Sequence, residues 1–389
     1  MMVTLAQLTS TAAGFQPCEP RGLYMHVPFC LHKCHYCDFY SLVETGPDSR
    51  QPAFTDRLIE EIRATAPGLR RPLDTIFIGG GTPTLLAPDL WERLLRAIAD
   101  NLPLAPDLEF TVEANPETIT VPLLEVLAGG GVNRLSLGAQ SFDLASLKAL
   151  ERRHDPANVR RGVRLARAAG ITNINLDLIF GIPGQDLDSW RVDLETAIAL
   201  DPVHLSCYGL MYEPNTPLTA RLRAGVIQRV DEDTDVAMYE TTCDMLGAVG
   251  YEQYEISNWA LPGRACRHNL LYWRNESWWP MGPGAAGHIN GVRWKNVPRL
   301  SEYLRVGPLP PITDVEELDE HGRVGETLML GLRLNEGIER ARLQELLDDD
   351  RSEIVRRHVS AGLLEHSEGR LRFTPRGRLL ADTVLADLL

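Results

Sequence analysis

Residues 26–41 read HVPFCLHKCHYCDFYS, with cysteines at Cys30, Cys34 and Cys37 in a CxxxCxxC spacing and Phe39 two positions after the last. A four-residue step followed by a three-residue step sets thiolates around a small volume and not along one line. That suits three irons of a 4Fe–4S cube, with the fourth iron open to a small ligand. The competing reading is a structural zinc site. It wants four protein ligands, and His26, His32 or His35 would have to supply the last.

A glycine run, Gly79, Gly80 and Gly81, is followed by Thr82 and Pro83. It lacks the Lys-Ser/Thr of a phosphate loop, so nucleoside triphosphate binding is not expected. Without side chains, its backbone carbonyls can approach a ligand ammonium closely. Glu113, Gln140, Arg152 and Asp177 are each, alone, ordinary structural polar groups. Together, an anionic side chain facing sugar hydroxyls and an arginine facing a carboxylate are what a zwitterionic nucleoside needs. Further on, residues 268–273 read HNLLYW. The His268 imidazole is a suitable axial ligand for heme iron, and Tyr272, Trp273, Trp278 and Trp279 could stack on a porphyrin. The alternative is a core histidine hydrogen-bonded within an aromatic cluster. His288 and Cys266 are secondary candidates read as structural, and Cys207 and Cys243 as small buried apolar residues.

The elements that position these residues show in the hydrophobic pattern. Six candidate strands recur: GLYMHV at 22–27, DTIFIG at 74–79, LEFTVEA at 108–114, NRLSLGAQ at 133–140, NINLDLIFG at 173–181 and HLSCYGL at 204–210. Between them, Trp91, Leu94, Leu95 and Ile98 keep helical spacing, as nearly do Trp190, Leu194, Ala197 and Ile198. Alternating βα units predict a parallel sheet, doubly wound or curled into a partial barrel. The cysteine loop, the glycine run, Glu113, Gln140 and Asp177 all fall at C-terminal strand ends, where such folds carry their sites.

The expected organisation is a tail at 1–20, a barrel at 21–215, an extension carrying HNLLYW at 216–306, a Pro- and acid-rich linker at 307–320, and a winged-helix-like module at 321–389. From residue 312 onward there are 17 acidic and 11 basic side chains, and the whole chain of 389 residues carries a formal charge of −14. Both disfavour a nucleic-acid partner. Seven cysteines, an odd number with three clustered, argue against a disulfide framework. The first twenty residues lack a basic start with an apolar core, and no later run spans a bilayer, so a cytoplasmic location is expected.

The CxxxCxxC loop with Tyr36 before its last cysteine, at the end of a first strand, resembles the signature of radical S-adenosylmethionine (SAM) proteins, and GGGTP resembles that family's glycine motif. The resemblance implies a partial (β/α)6 barrel of TIM type. It also implies that the open iron chelates SAM, whose contacts would fall on Tyr24, Tyr36, Gly80, Gly81, Thr82, Glu113, Gln140, Arg152 and Asp177. The blocks VEANP, LSLGAQSF, LERRH and NLDLIFGIPGQ are similar to the coproporphyrinogen-oxidase-like branch. Within it, the oxygen-independent oxidases carry CxxxCxxCxC, whereas heme chaperones of the HemW type carry CDFYS-like continuations and HNxxYW. Phe39 and HNLLYW therefore imply heme binding at His268 and delivery of heme to proteins such as respiratory enzymes. An electron donor and a transient membrane association belong to the same expectation, and oxidative decarboxylation of coproporphyrinogen III is the alternative.

Overall fold

The computed structural model describes residues 19–44 and 49–389, so Cys18 and nearly all of the expected tail lie outside the described residues. All six expected strands form: β1 Gly22–Val27, β2 Leu73–Gly80, β3 Leu104–Ala114, β4 Arg134–Gln140, β5 Asn173–Phe180 and β6 His204–Gly209. They pair in parallel in chain order. Parallel neighbours need long crossovers. These are supplied by α1 Gln51–Thr65, α2 Pro88–Asn101, α3 Val121–Gly129, α4 Pro156–Ala168 and α5 Leu187–Ala199. Side-chain oxygens of Thr120, Asp155 and Asp186 accept first-turn N–H groups of α3, α4 and α5, contributing about 1 kcal/mol each. Trp91, Leu94 and Ile98 of α2 are buried, as are Trp190, Leu194 and Ala197 of α5. The Trp190 indole donates to Met238 O (3.1 Å) and Thr242 Oγ1 (2.9 Å) on the next long helix, α6 Glu232–Ala248.

Strand periodicity divides the sheet into two faces. Leu23, Met25, Ile76, Ile78, Val112, Leu135, Leu137, Leu176 and Leu178 are fully buried in the main apolar core. The alternate positions, Tyr24, Phe77, Glu113, Ser136, Asn175, Asp177, His204 and Ser206, line one internal cavity. The sheet is curled around this cavity, which aromatic rings and polar side chains line together.

The sheet runs further than the six strands. Antiparallel strands β7 Glu252–Glu255 and β8 Asn258–Ala260 extend it beyond β6. On the other side, β9 Trp278–Met281 joins β1 in parallel. Antiparallel β10 Ala286–Ile289, β11 Val292–Asn296 and β12 Ile312–Glu317 follow it. The last of these corrects the expected linker. Residues 307–320 contain an edge strand, because the prolines end at Pro311 and the following ITDVEE pairs with β11. Only Ile312 of β12 is buried, and its exposed acids blunt the edge.

Beyond it, α7 Glu320–Arg333 opens a module with its own core of Leu328, Leu332, Leu371, Phe373, Val384 and Leu385. The expected hairpin forms from Leu364–Ser367 and Arg370–Phe373, with Ile338–Glu339 as a third strand. Asn335 N donates to Tyr254 O at 2.9 Å, and Asn275 Nδ2 to Glu326 Oε2 at 3.0 Å, tying the module to the sheet.

Candidate cofactor and ligand site

The cysteine loop is pinned at its base. Phe29–Cys30 pairs with Leu42–Val43, and Leu42 N donates to Pro28 O at 2.7 Å. The His26 Nε2–H donates to Tyr40 O at 2.7 Å, which leaves Nδ1 to accept from the Tyr24 hydroxyl at 3.0 Å. Burial pushes this imidazole down to about 4, so it is neutral. Thr82 Oγ1 donates to Cys30 Sγ (3.7 Å) and Arg152 Nη1 to Cys34 Sγ (3.6 Å); Arg152 Nη2 is held by Gly138 O at 2.7 Å. Burial raises the Cys30 thiol and pushes Cys37 up to about 11. Thiolates here require a cationic group to stabilise them. Among the described residues no three His, Cys, Asp or Glu side chains converge on a single-ion site.

The lumen is a cavity of about 760 Å³. Of the residues expected to contact SAM, Tyr24, Tyr36, Gly80, Glu113 and Asp177 line it, together with Cys37. Gly81, Thr82, Gln140 and Arg152, with Cys30 and Cys34, lie outside the lining. Thr82 and Arg152 instead act on the cysteines as hydrogen-bond donors. Gln140 has φ 63° where the β4–β5 register breaks, a bulge that re-aims the strand end. A Cβ on Gly138 would stand 2.9 Å from Gln140 Nε2 and 3.1 Å from Arg152 Nη2, so only glycine lets both side chains approach.

Glu113 Oε2 accepts from Gly80 N at 3.1 Å. Burial, with Asp177 nearby, pushes the Glu113 carboxyl up to about 7. Burial also raises Asp177, opposed by hydrogen bonds that include Ser136 (3.1 Å) and Asn175 (2.8 Å). Gly80 has φ 108°, and a Cβ there would lie 2.5 Å from the His26 ring. Gly80→Ala is therefore expected to lower stability by at least about 1–3 kcal/mol and to weaken SAM binding, read by thermal melting and calorimetry.

The HNLLYW segment sets the candidate heme ligand His268 within hydrogen-bonding reach of Thr75 and Tyr272. It forms a short helix, Arg267–Trp273, near the N-terminal ends of the strands, where Glu109 accepts from Arg267 N and His268 N, both at 3.0 Å. His268 lines the cavity floor at 1% exposure. Thr75 Oγ1 meets its Nδ1 at 2.7 Å and Tyr272 Oη its Nε2 at 2.8 Å, and its ring stacks on Phe77 at 5.3 Å. Both ring nitrogens are engaged, and burial pushes the imidazole down to about 3. Of the four aromatics, Tyr272 and Trp278 face the cavity with ring centroids 4.5 Å apart. Trp279 instead packs on Trp294, and Trp273 lies beneath Arg333, because neighbours on a strand or helix point to different sides. His288 is structural: Nδ1–H donates to Glu276 O and Nε2 accepts from Gly291 N. Cys266 donates to Glu109 Oε1 at 3.5 Å, Cys207 is buried, and Cys243 is partly buried.

Sequence reasoning missed the lower lumen. Asn175 Nδ2 donates to Ser136 Oγ (2.7 Å), Asp177 Oδ1 (2.8 Å) and Ser206 Oγ (3.0 Å); its Oδ1 meets His204 Nδ1 at 2.6 Å. Arg134 lines the same region. The signal was present as polar residues at every second position of the β4, β5 and β6 sequences.

Comparison with known proteins agrees with this architecture. The Radical SAM superfamily model matches residues 24–197, and the HemN C-terminal domain model matches residues 318–380. A protein named heme chaperone HemW from Lactococcus lactis is 36% identical over 381 residues, covering 95% of this chain and 98% of the relative. One of the same name from Mycobacterium tuberculosis is 38% identical, covering 96% of each. Among solved structures, the Escherichia coli coproporphyrinogen III oxidase HemN, described as a radical SAM enzyme, superposes with a TM-score of 0.84. It is 22% identical and the match covers 99% of this chain and 93% of that one, which establishes the fold. The chain belongs to the radical SAM superfamily and, within it, to the family of proteins named heme chaperone HemW.

Proposed function

We propose that this protein is a cytoplasmic heme chaperone that binds heme beside a SAM-bound 4Fe–4S cluster and passes the heme to apo-hemoproteins, respiratory enzymes among them. One observation carries the reading: a single cavity is shared by the cysteine loop, the carboxylates of Glu113 and Asp177, and the HNLLYW helix. Full-length similarity to proteins named heme chaperones supports it. Cys30, Cys34 and Cys37 would hold three irons, and the cluster supplies an open iron and a low-potential electron. Thr82 and Arg152 would donate hydrogen bonds to two of the thiolates, and Glu113 and Asp177 would face the cationic nucleoside. Tyr24, Tyr36, Gly80, Gly81 and Gln140 complete the proposed SAM contacts. No helix among the described residues is long and apolar enough to cross a membrane, so membrane association would be at the surface.

His268 is neutral, as an iron ligand must be, and Nε2 becomes available if the Tyr272 hydroxyl turns away. Titration with heme is expected to give a saturable Soret shift. His268→Ala should weaken binding at least about tenfold, equivalent to about 1.4 kcal/mol. Tyr272→Phe should bind as tightly as the wild type, or more tightly. No saturable shift in the wild type would overturn the reading; unchanged binding in His268→Ala would remove His268 from it.

The alternative, coproporphyrinogen oxidation, shares the fold. Phe39, 66% exposed, offers no metal ligand where the oxidases' resemblance calls for another cysteine. Protoporphyrinogen formation on anaerobic incubation with SAM, reductant and coproporphyrinogen III would favour that enzyme.

A further inference from the structure

Arg134 is a buried cation that the fold leaves without a partner. It stands on β4 at 2% exposure and lines the lumen. Its Nε is enclosed and has no hydrogen-bond partner among the described residues. Glu109, Asp177, Cys266 and Tyr254 act on it only through Coulombic interaction. The two acids near it are occupied elsewhere. Glu109 accepts from Arg267 N, His268 N and Cys266, and Asp177 accepts from Ser136 and Asn175. The Coulombic attraction of these groups outweighs the cost of burial and keeps the guanidinium charged, yet its unfilled donor in a native structure calls for a ligand or water.

Its depth separates it from Arg152 and the cysteine that Arg152 serves, while Asp177 and Glu113 lie between and within its field. Arg134 lies four residues before Gly138, whose carbonyl holds Arg152, so their backbones are about 13 Å apart at about 3.3 Å per residue. The cavity lining also holds Asp38, Glu113, Asp177 and Glu213, which suit a cation; Arg134 and Lys295 are its lysine and arginine members among the described residues. An anionic group deep in the lumen therefore has one well-buried guanidinium to meet.

We propose that Arg134 is a carboxylate-receiving subsite at the floor of the barrel and that it takes a propionate of the bound heme. The proposal rests on the heme reading above. A guanidinium binds a carboxylate through charge-assisted and often paired hydrogen bonds, which lysine reproduces only in part.

The test uses the full chain with its cluster reconstituted, titrated with heme and with heme dimethyl ester, whose propionates are both blocked. The wild type is expected to prefer heme by about ten- to a hundredfold. Arg134→Met should lose that preference, binding heme as weakly as the ester and the ester as well as the wild type does. Arg134→Lys should retain part of the preference. Arg134→Met also removes the Coulombic support that the guanidinium gives Glu113 and Asp177, so melting is measured beside the titration, and the comparison of heme with ester within the one variant, which a general loss of stability does not change, guards against misfolding as an explanation. Heme binding unchanged in Arg134→Met overturns the proposal. So does an equal loss for heme and ester, which marks a structural role, or a loss of SAM affinity with heme affinity intact, which assigns the guanidinium to SAM. A wild type that binds no heme at all instead removes the chaperone reading, a failure distinct from these.

Discussion

Cys34→Ser is expected to abolish cluster assembly. After anaerobic reconstitution the wild type should carry about four irons and four sulfides per chain, and the variant close to none, with loss of the broad visible absorption. Cys34 is the informative position because it is partly exposed while Cys30 is buried, so a hydroxyl can be accommodated without a cavity. The substitution also strips Arg152 Nη1 of its sulfur partner while leaving the Gly138 carbonyl to hold Nη2. Melting of the metal-free variant should therefore stay close to that of the metal-free wild type. Full iron content in Cys34→Ser, or zinc alone in the wild type, would refute the cluster assignment.

Glu113→Gln is expected to weaken SAM binding by about ten- to a hundredfold at pH 8, the value of a hydrogen bond to a charged group. It should also remove a pH dependence. The carboxyl sits at about 7 in the folded chain against an ordinary 4.5, raised chiefly by burial. Below pH 4.5 both folded and unfolded chains hold the proton. Between pH 4.5 and 7 the unfolded chain releases it while the folded chain keeps it, so this group's contribution to stability falls as pH rises. Above pH 7 the cost levels off at about 3 kcal/mol. Ligand-free Glu113→Gln should accordingly melt several degrees higher than the wild type at pH 8 and show little difference at pH 4. A cationic ligand favours the ionised carboxylate, so SAM binding to the wild type below pH 7 should release a proton, and affinity should rise toward pH 7 and then flatten. Calorimetry in buffers of different ionisation enthalpy measures that proton, and the glutamine variant accounts for any proton lost by SAM itself. Identical pH profiles for the two proteins would exclude Glu113 from the site.

The barrel strands were legible because each is a short β-branched or aliphatic run, such as Ile76 to Ile78, and because the intervening helices repeat at their own period. The strand at Ile312–Glu317 was not. The prolines just before it and its own acids read as a linker, and it becomes a strand by taking up the free edge of β11, a partner that local sequence does not contain. The same holds for Trp278 and Trp279: adjacent in the chain, one lines the lumen and the other packs into the core, and which does which depends on the register of β9 against β1.

By itself, the sequence brought the candidate donors together. CxxxCxxC needs only a short loop to place three sulfurs near one another, whereas the significance of Phe39 came from the resemblance to oxidases that carry a cysteine there. Only the tertiary structure decided that His268 lies on the barrel floor between Thr75 and Tyr272, and that Arg134 faces the lumen unpaired. Thr75 and His268 are 193 residues apart, and whether a buried polar group is satisfied depends on partners that distant chain segments bring to it.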